Sequence, residues 1–188
     1  MPHLTIMLIR HAEKPSADGT VAGVDLQGGQ NEADLSIRGW QRAGALAALL
    51  SPSPNLQRPE LQRPTSLYAA GAGIQTDTGA HHKSLRSQHT LEPLSELIGI
   101  PVVANFFTTQ EAELAKVISQ LEGVVLVAWE HAAIVHIANS IFGNESSTPQ
   151  HWPDSRFDMV WSFERDRDGW AFKQYAQLLL AGDSGLVF

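Results

Sequence analysis

The chain has 188 residues, 43% of them hydrophobic and 18% charged, with a net charge of −7 and no cysteine. That length carries a substantial buried core, and the composition is that of a globular chain rather than a disordered one. The acidic balance excludes a chain-wide basic footprint for nucleic acid, and the lack of cysteine excludes disulfides, thiol catalysis and cysteine-based metal sites. A local basic pocket for a small anion stays open, because focusing depends on arrangement rather than on the total.

Met1-Pro2-His3 lacks the basic region, apolar core and small-residue cleavage site of a signal peptide. No apolar run approaches the ~20 residues that span a bilayer, so a cytoplasmic location and no membrane partner are expected. Leu4 to Ile9 reads as a first strand, apolar on both faces as a central strand of a helix-covered sheet is. It ends abruptly in Arg10-His11-Ala12-Glu13-Lys14, the pattern of a buried strand that delivers side chains to the mouth of a site. Residues 16–34 hold four glycines and three aspartates with little periodicity, which predicts a loop, and at that length a functional flap. Ser36 is a helix N-cap, and Ile37, Trp40, Ala43, Ala47 and Leu50 repeat at helical spacing behind it.

Four prolines mark residues 51–64 as a surface connection. Thr65 to Ala70 is a second strand, and residues 71–82 form a polar, glycine-rich loop at its end. Lys83 to Ile98 is helical, with Pro93 expected to divide it into two short pieces. Residues 101–105 form a third strand. Thr108 with Glu111 matches a capping box for a helix whose face is Leu114, Val117, Ile118 and Leu121. Gly123 to Trp129 is the clearest strand, followed by Glu130-His131 and a helix through Ile134, Ile137 and Ile141 that stops near Gly143. Residues 144–153 read as a loop. Phe157, Met159, Trp161 and Phe163 alternate along a strand, Asp166-Arg167-Asp168-Gly169 is a hairpin turn, and Trp170 to Leu180 returns beside it. Trp40, Trp129, Trp161 and Trp170 are assigned to packing. No repeat or linker interrupts residues 1–188. The order predicts one domain, a three-layer α/β/α fold with a mostly parallel sheet and an antiparallel C-terminal hairpin.

If the strands are parallel neighbours, Arg10-His11, the helix start at Ser84-Leu85-Arg86 and Glu130-His131 lie on one edge of the sheet. Two histidines and two arginines then face one pocket, and the helix bearing Arg86 aims its N-terminal amides at it, which favours an anion. The set suits phosphoryl transfer. One imidazole attacks phosphorus in line, while the arginines and the second imidazole neutralise the equatorial oxygens. The product is a phosphohistidine that water hydrolyses, and no metal or cofactor is needed. Adjacent His81 and His82 do not make a metal site, since neighbouring residues rarely face one ion.

These stretches resemble the signatures of the histidine phosphatase superfamily, which includes the cofactor-dependent phosphoglycerate mutases. That family opens with strand-Arg-His-Gly-Glu, here Arg10-His11-Ala12-Glu13. Its second signature, a serine, an arginine two residues on and a threonine four beyond, fits Ser84, Arg86 and Thr90. Its third, an apolar strand ending in Gly-His, fits Val124 to His131 except that Glu130 replaces the glycine. The resemblance implies that His11 is the phosphorylated nucleophile and that Arg10, Arg86 and His131 hold the phosphate. Lys14, Glu13 and Glu130 are candidate substrate contacts. Glu130 is expected to favour protonated His131. Ala132, where the acid phosphatase branch carries an aspartate, sets the chain outside that branch. The general acid is open among Glu13, Glu130, Glu92, Glu96, Glu111 and Glu113, and an acidic leaving group needs none. The expected partner is a small phosphorylated substrate or phosphate. The expected activity is a metal-independent phosphatase, with a phosphomutase or a catalytically idle phosphate-binding scaffold as alternatives. Nothing in the sequence sets an oligomeric state.

Overall fold

The computed structural model describes residues 3–51 and 58–188. Of the proline-rich connection expected over 51–64, the part from 52 to 57 lies outside the described residues. In chain order the elements are β1 (Leu4–Arg10), α1 (Ile37–Leu50), β2 (Ser66–Ala70), β3 (Gly73–Ile74), β4 (His81–His82), α2 (Arg86–Ile98), β5 (Val102–Phe106), α3 (Glu111–Ile118), β6 (Gly123–Trp129), α4 (His131–Phe142), β7 (Met159–Arg165) and β8 (Trp170–Ala176).

The main sheet has the order β5-β2-β6-β1-β7-β8. The first four strands run parallel, while β7 pairs antiparallel with β1 and β8 antiparallel with β7. Every residue of β1 is buried, as a central strand covered on both faces requires. Alternation along β1 divides the core in two. Leu4, Ile6 and Leu8 pack with Ile118, Ile134, Ile137 and Trp161 on the α3–α4 side. Met7 and Ile9 pack with Leu46, Leu50, Leu91 and Leu94 on the α1–α2 side. The result is the three-layer α/β/α fold with the antiparallel hairpin at the C-terminal end.

The cap at Ser36 forms as its sequence context predicts, with Ser36 Oγ accepting from the Gly39 amide at 3.1 Å. The same hydroxyl donates to the Glu13 carbonyl at 3.1 Å, which draws the start of α1 onto the loop that follows β1. A Cβ on Gly39 would stand 2.4 Å from the Glu13 carbonyl oxygen, so only glycine admits this approach. Gly143 ends α4 in the left-handed conformation, φ 70°.

Several elements differ from expectation. Pro93 lies inside one continuous α2 rather than between two pieces. It removes a single N–H, and the buried face Thr90, Leu91 and Leu94 continues across it onto the sheet, so tertiary packing decides. The capping box at Thr108 does not form. Instead α3 begins at Glu111 with Gln110 as its cap residue, and the Glu111 carboxylate accepts from the Thr109 amide at 3.0 Å. β7 begins at Met159, so Phe157 precedes the strand instead of sharing its inner face. β8 ends at Ala176 rather than Leu180. The 71–82 loop contains a small antiparallel ribbon, Gly73↔His82 and Ile74↔His81.

Candidate active site

Register brings the charged strand ends together. β1 and β6 are in step up to Arg10↔Trp129, and the His11 amide extends the ladder by donating to the Trp129 carbonyl at 2.9 Å. His11 therefore leaves the sheet beside Glu130 and His131. β2 lies on the other flank of β6, in step up to Ala69↔Ala128, and ends at Ala70-Gly71. α2 and α4 both begin here, and no side chain caps either N-terminus. These elements enclose a cleft of about 160 Å³ lined by His11, Lys14, Gly71, His82, Lys83, Ser84, Arg86, Thr108, Glu130 and His131, among others. Two helix N-termini without side-chain caps and several cationic side chains give it a positive potential of the kind that favours an anion.

His11 is 5% exposed. Its Nδ1 lies 2.8 Å from the Ala12 carbonyl oxygen. A carbonyl only accepts, so Nδ1 carries the proton and Nε2 the lone pair. Burial, together with the nearby Arg10, Arg86 and His131, pushes the imidazole down to about 3 against the raising effect of the Ala12 bond. The ring is therefore neutral across the physiological range. The Ala12 amide donates to Thr90 Oγ1 at 2.8 Å, and that hydroxyl donates to the Arg86 carbonyl at 2.7 Å. Thr90 thus ties the backbone beside His11 to the first turn of α2.

Arg10 is 1% exposed. Its guanidinium lies over the Phe157 ring at 3.8 Å from the centroid, and Nη1 donates to the Asp154 carbonyl. Nε is buried without a partner. Burial lowers Arg10 to about 10, opposed by Asp154, Glu13 and Glu130. Arg86 is held by Ser84 Oγ, 3.1 Å from its Nε, and burial lowers it too. His131 opens α4, with Nε2 2.8 Å from Asp154 Oδ1 and Nδ1 buried without a partner. Burial and then Arg10 lower His131, while Asp154 and Glu130 raise it. Glu130 thus acts in the expected direction but is outweighed, because removing the ring from water costs its charged form more than one exposed carboxylate returns.

Arg10, His11, Arg86 and His131 therefore meet at one edge of the sheet, and Lys14 and Glu130 line the same cleft. Glu13 does not. Its carboxylate is turned toward α1, 2.8 Å from Arg42 Nη2 and 3.2 Å from Arg38 Nε, and Arg42 also reaches Asp183 at 2.7 Å. Glu111 accepts from the indole of Trp129 at 3.0 Å, inside the core. Glu92, Glu96 and Glu113 lie on α2 and α3 away from the cleft lining, so among the described residues Glu130 is its one carboxylate. The 16–34 loop, expected as a flap, contributes no lining residue, whereas the 71–82 segment contributes Gly71 and His82. The sequence gives no signal for Asp154, which stands in a polar stretch without periodicity, and its alternation puts Phe157 on the strand's inner face, whereas Phe157 lies against the Arg10 guanidinium.

No protein-family model matches the sequence, and comparison with curated proteins gives no match. Solved structures do match over nearly the whole chain. A SixA protein from Agrobacterium tumefaciens is 18% identical over 92% of this chain and 97% of its own, with a TM-score of 0.50. The protein histidine phosphatase SixA complexed with tungstate is 15% identical over 92% and 97%, with a TM-score of 0.55. A phosphoserine phosphatase from Entamoeba histolytica, solved with phosphoserine, is 11% identical over 90% and 95%, with a TM-score of 0.52. At such identities the likeness is one of fold, shared over nearly the whole chain with these solved phosphatases.

Proposed function

We propose that this chain is a histidine phosphatase that hydrolyses a phosphomonoester or another small phosphorylated substrate through a phosphohistidine on His11. The observation that carries the reading is the His11–Ala12 hydrogen bond. It commits Nδ1 as a donor and leaves Nε2 as a neutral nucleophile in a buried, cation-rich cleft. Nε2 attacks phosphorus in line, the N–P bond forms, and the P–O bond to the leaving group breaks on the opposite side. Arg10, Arg86 and His131 neutralise the equatorial oxygens. Water then cleaves the N–P bond and restores neutral His11. Glu130 is the proton donor for a basic leaving group, since Glu13 and Glu111 are engaged elsewhere. Lys14 meets the substrate beyond its phosphate. None of these steps calls for a metal.

Hydrolysis is favoured over phosphoryl isomerisation because, among the described residues, the cleft is bounded by short elements rather than by a long covering segment that would exclude water. The reading is tested by hydrolysis of an activated aryl phosphate by wild type and His11→Ala. A loss of at least ~10³-fold in kcat is expected for a nucleophile, together with an acid-labile phosphate on the wild-type enzyme after quenching. Equal rates would leave a phosphate-binding scaffold as the surviving account, and isomerised product without free phosphate would mean a mutase.

A further inference from the structure

Residues 153–156 form a tight turn, closed by the Arg156 amide donating to the Pro153 carbonyl at 3.0 Å. The turn is fastened to the core. The Trp152 indole donates to the Arg156 carbonyl at 2.8 Å, and its ring packs on Trp161 and Phe188 with centroids 5.0 and 5.6 Å away. Asp154 stands at the corner. Its carbonyl accepts from Arg10, and its carboxylate accepts from His131 Nε2 at 2.8 Å. Its side chain is 85% exposed on the outside, while the His131 ring is 17% exposed.

We propose that Asp154 is a positioning residue of the phosphate site, fixing the ring orientation and protonated nitrogen of His131 through its carboxylate while its backbone carbonyl holds the Arg10 guanidinium. This rests on the phosphatase reading above. A carboxylate only accepts, so Nε2 carries a proton, and the buried, unpartnered Nδ1 is the nitrogen left for the phosphoryl group. A phosphoryl oxygen at Nδ1 is attracted only once that nitrogen is protonated. The imidazolium then stands between two anions, the phosphoryl group and Asp154. The proton it gains comes from water or from a monoanionic substrate, and only N–H and O–H bonds change. His131 would thus be neutral in the empty site and charged in the occupied one. The charged and titratable groups around it are Arg10 and His11 at the end of β1, Glu130 at its own helix start, and Asp154. Without Asp154, Glu130 alone opposes Arg10.

The experiment compares the full chain with Asp154→Ala, Asp154→Asn and Asp154→Glu. None of these alters the backbone carbonyl on Arg10, so the carboxylate is tested by itself. For hydrolysis of p-nitrophenyl phosphate, Asp154→Ala should lose about 10- to 100-fold, more in kcat than in KM, the range seen when the carboxylate partner of a metal-bound histidine is removed. Asp154→Glu should recover part of it. The alkaline limb of the kcat profile should move to lower pH in Asp154→Ala, because the carboxylate favours protonated His131 and its removal disfavours it. Nitrogen NMR of the imidazoles gives a readout independent of activity. His131 should be the Nε2–H tautomer in the wild type and lose that preference in Asp154→Ala. Unchanged kcat with an unchanged tautomer overturns the proposal. So do faster hydrolysis and tighter binding of inorganic phosphate, which would mean that the carboxylate occupies the phosphate's place. If the wild type does not hydrolyse the aryl ester, the phosphatase reading fails, and the His131 tautomer and titration still decide the role of Asp154.

Discussion

His11 combines two conditions that usually conflict, burial and proximity to cations, and both act on its proton in the same direction. In the folded chain the imidazole is pushed from 6.5 to about 3. Above about pH 6.5 the ring is neutral folded and unfolded, and contributes nothing to the pH dependence of stability. As pH falls from 6.5 toward 3, the unfolded chain takes up a proton that the folded chain refuses, so folding stability declines over that window. His11→Gln removes the group, and urea unfolding from pH 7 to pH 4 should show a smaller decline for the variant than for the wild type. Equal slopes would mean that the ring finds a proton-accepting environment in the folded state. The side chains that set this state were unequally legible in the sequence. Arg10, His11 and His131 stand past strand ends, where a change from apolar to charged residues marks them, and Arg86 stands at a helix start, marked by its spacing from Ser84 and Thr90. Thr90 came to notice only as part of a spacing, and its purpose, an acceptor for the Ala12 amide 78 positions earlier in sequence, requires the fold. Asp154 had no local mark at all. Its partner Arg10 lies 144 positions away, and the turn that presents it is held by Trp152 from the core.

At the level of elements, the join between α1 and the loop after β1 is made by a buried charge cluster. Arg42 is buried between Glu13 and Asp183, with side-chain exposures of 2%, 13% and 4%. Burial works against the charged forms of Arg42 and Asp183. Even so, the Arg42 bonds and the Leu179 and Leu180 amides bring Asp183 down to about 2, and the two carboxylates raise Arg42 above its usual value. Removing one partner of such a cluster leaves uncompensated buried charge. Arg42→Ala is therefore expected to cost about 3–5 kcal/mol in chemical denaturation, and to reduce activity through the displaced loop although Arg42 touches no substrate. A loss below ~1 kcal/mol would mean that water enters and screens the carboxylates. The sequence showed the helices themselves well. Ser36 and the 3.6-residue repeat set α1, and Gly143 set the end of α4. It did not show that Glu13 would face α1, because a carboxylate three residues past Arg10 has no periodicity to assign its side. Nor did it show that α2 would run through Pro93, because local propensity yielded there to the apolar face that continues beyond it.

For the whole molecule, the sheet order β5-β2-β6-β1-β7-β8 accounts for where the site is. Four parallel strands put the ends of β1, β2 and β6 on one edge, and the antiparallel β7 and β8 extend the sheet on the side away from β2. Alternating strand and helix signals were enough to foresee a mostly parallel sheet with an antiparallel C-terminal hairpin, whereas the order of its strands depends on long-range pairing that no local pattern marks. The packing of α1 against the β1 loop has a consequence for anyone who maps this protein by saturation mutagenesis. Gly39 is remote from the chemistry, yet its missing side chain is the gap in which the Glu13 carbonyl sits. Every substitution there should score nearly as badly as His11 when read by turnover, and Gly39→Ala should be found among the unfolded or misassembled variants when read by abundance. A functional map drawn from turnover alone would extend the active site one helix too far, and pairing it with an abundance map would restore the boundary.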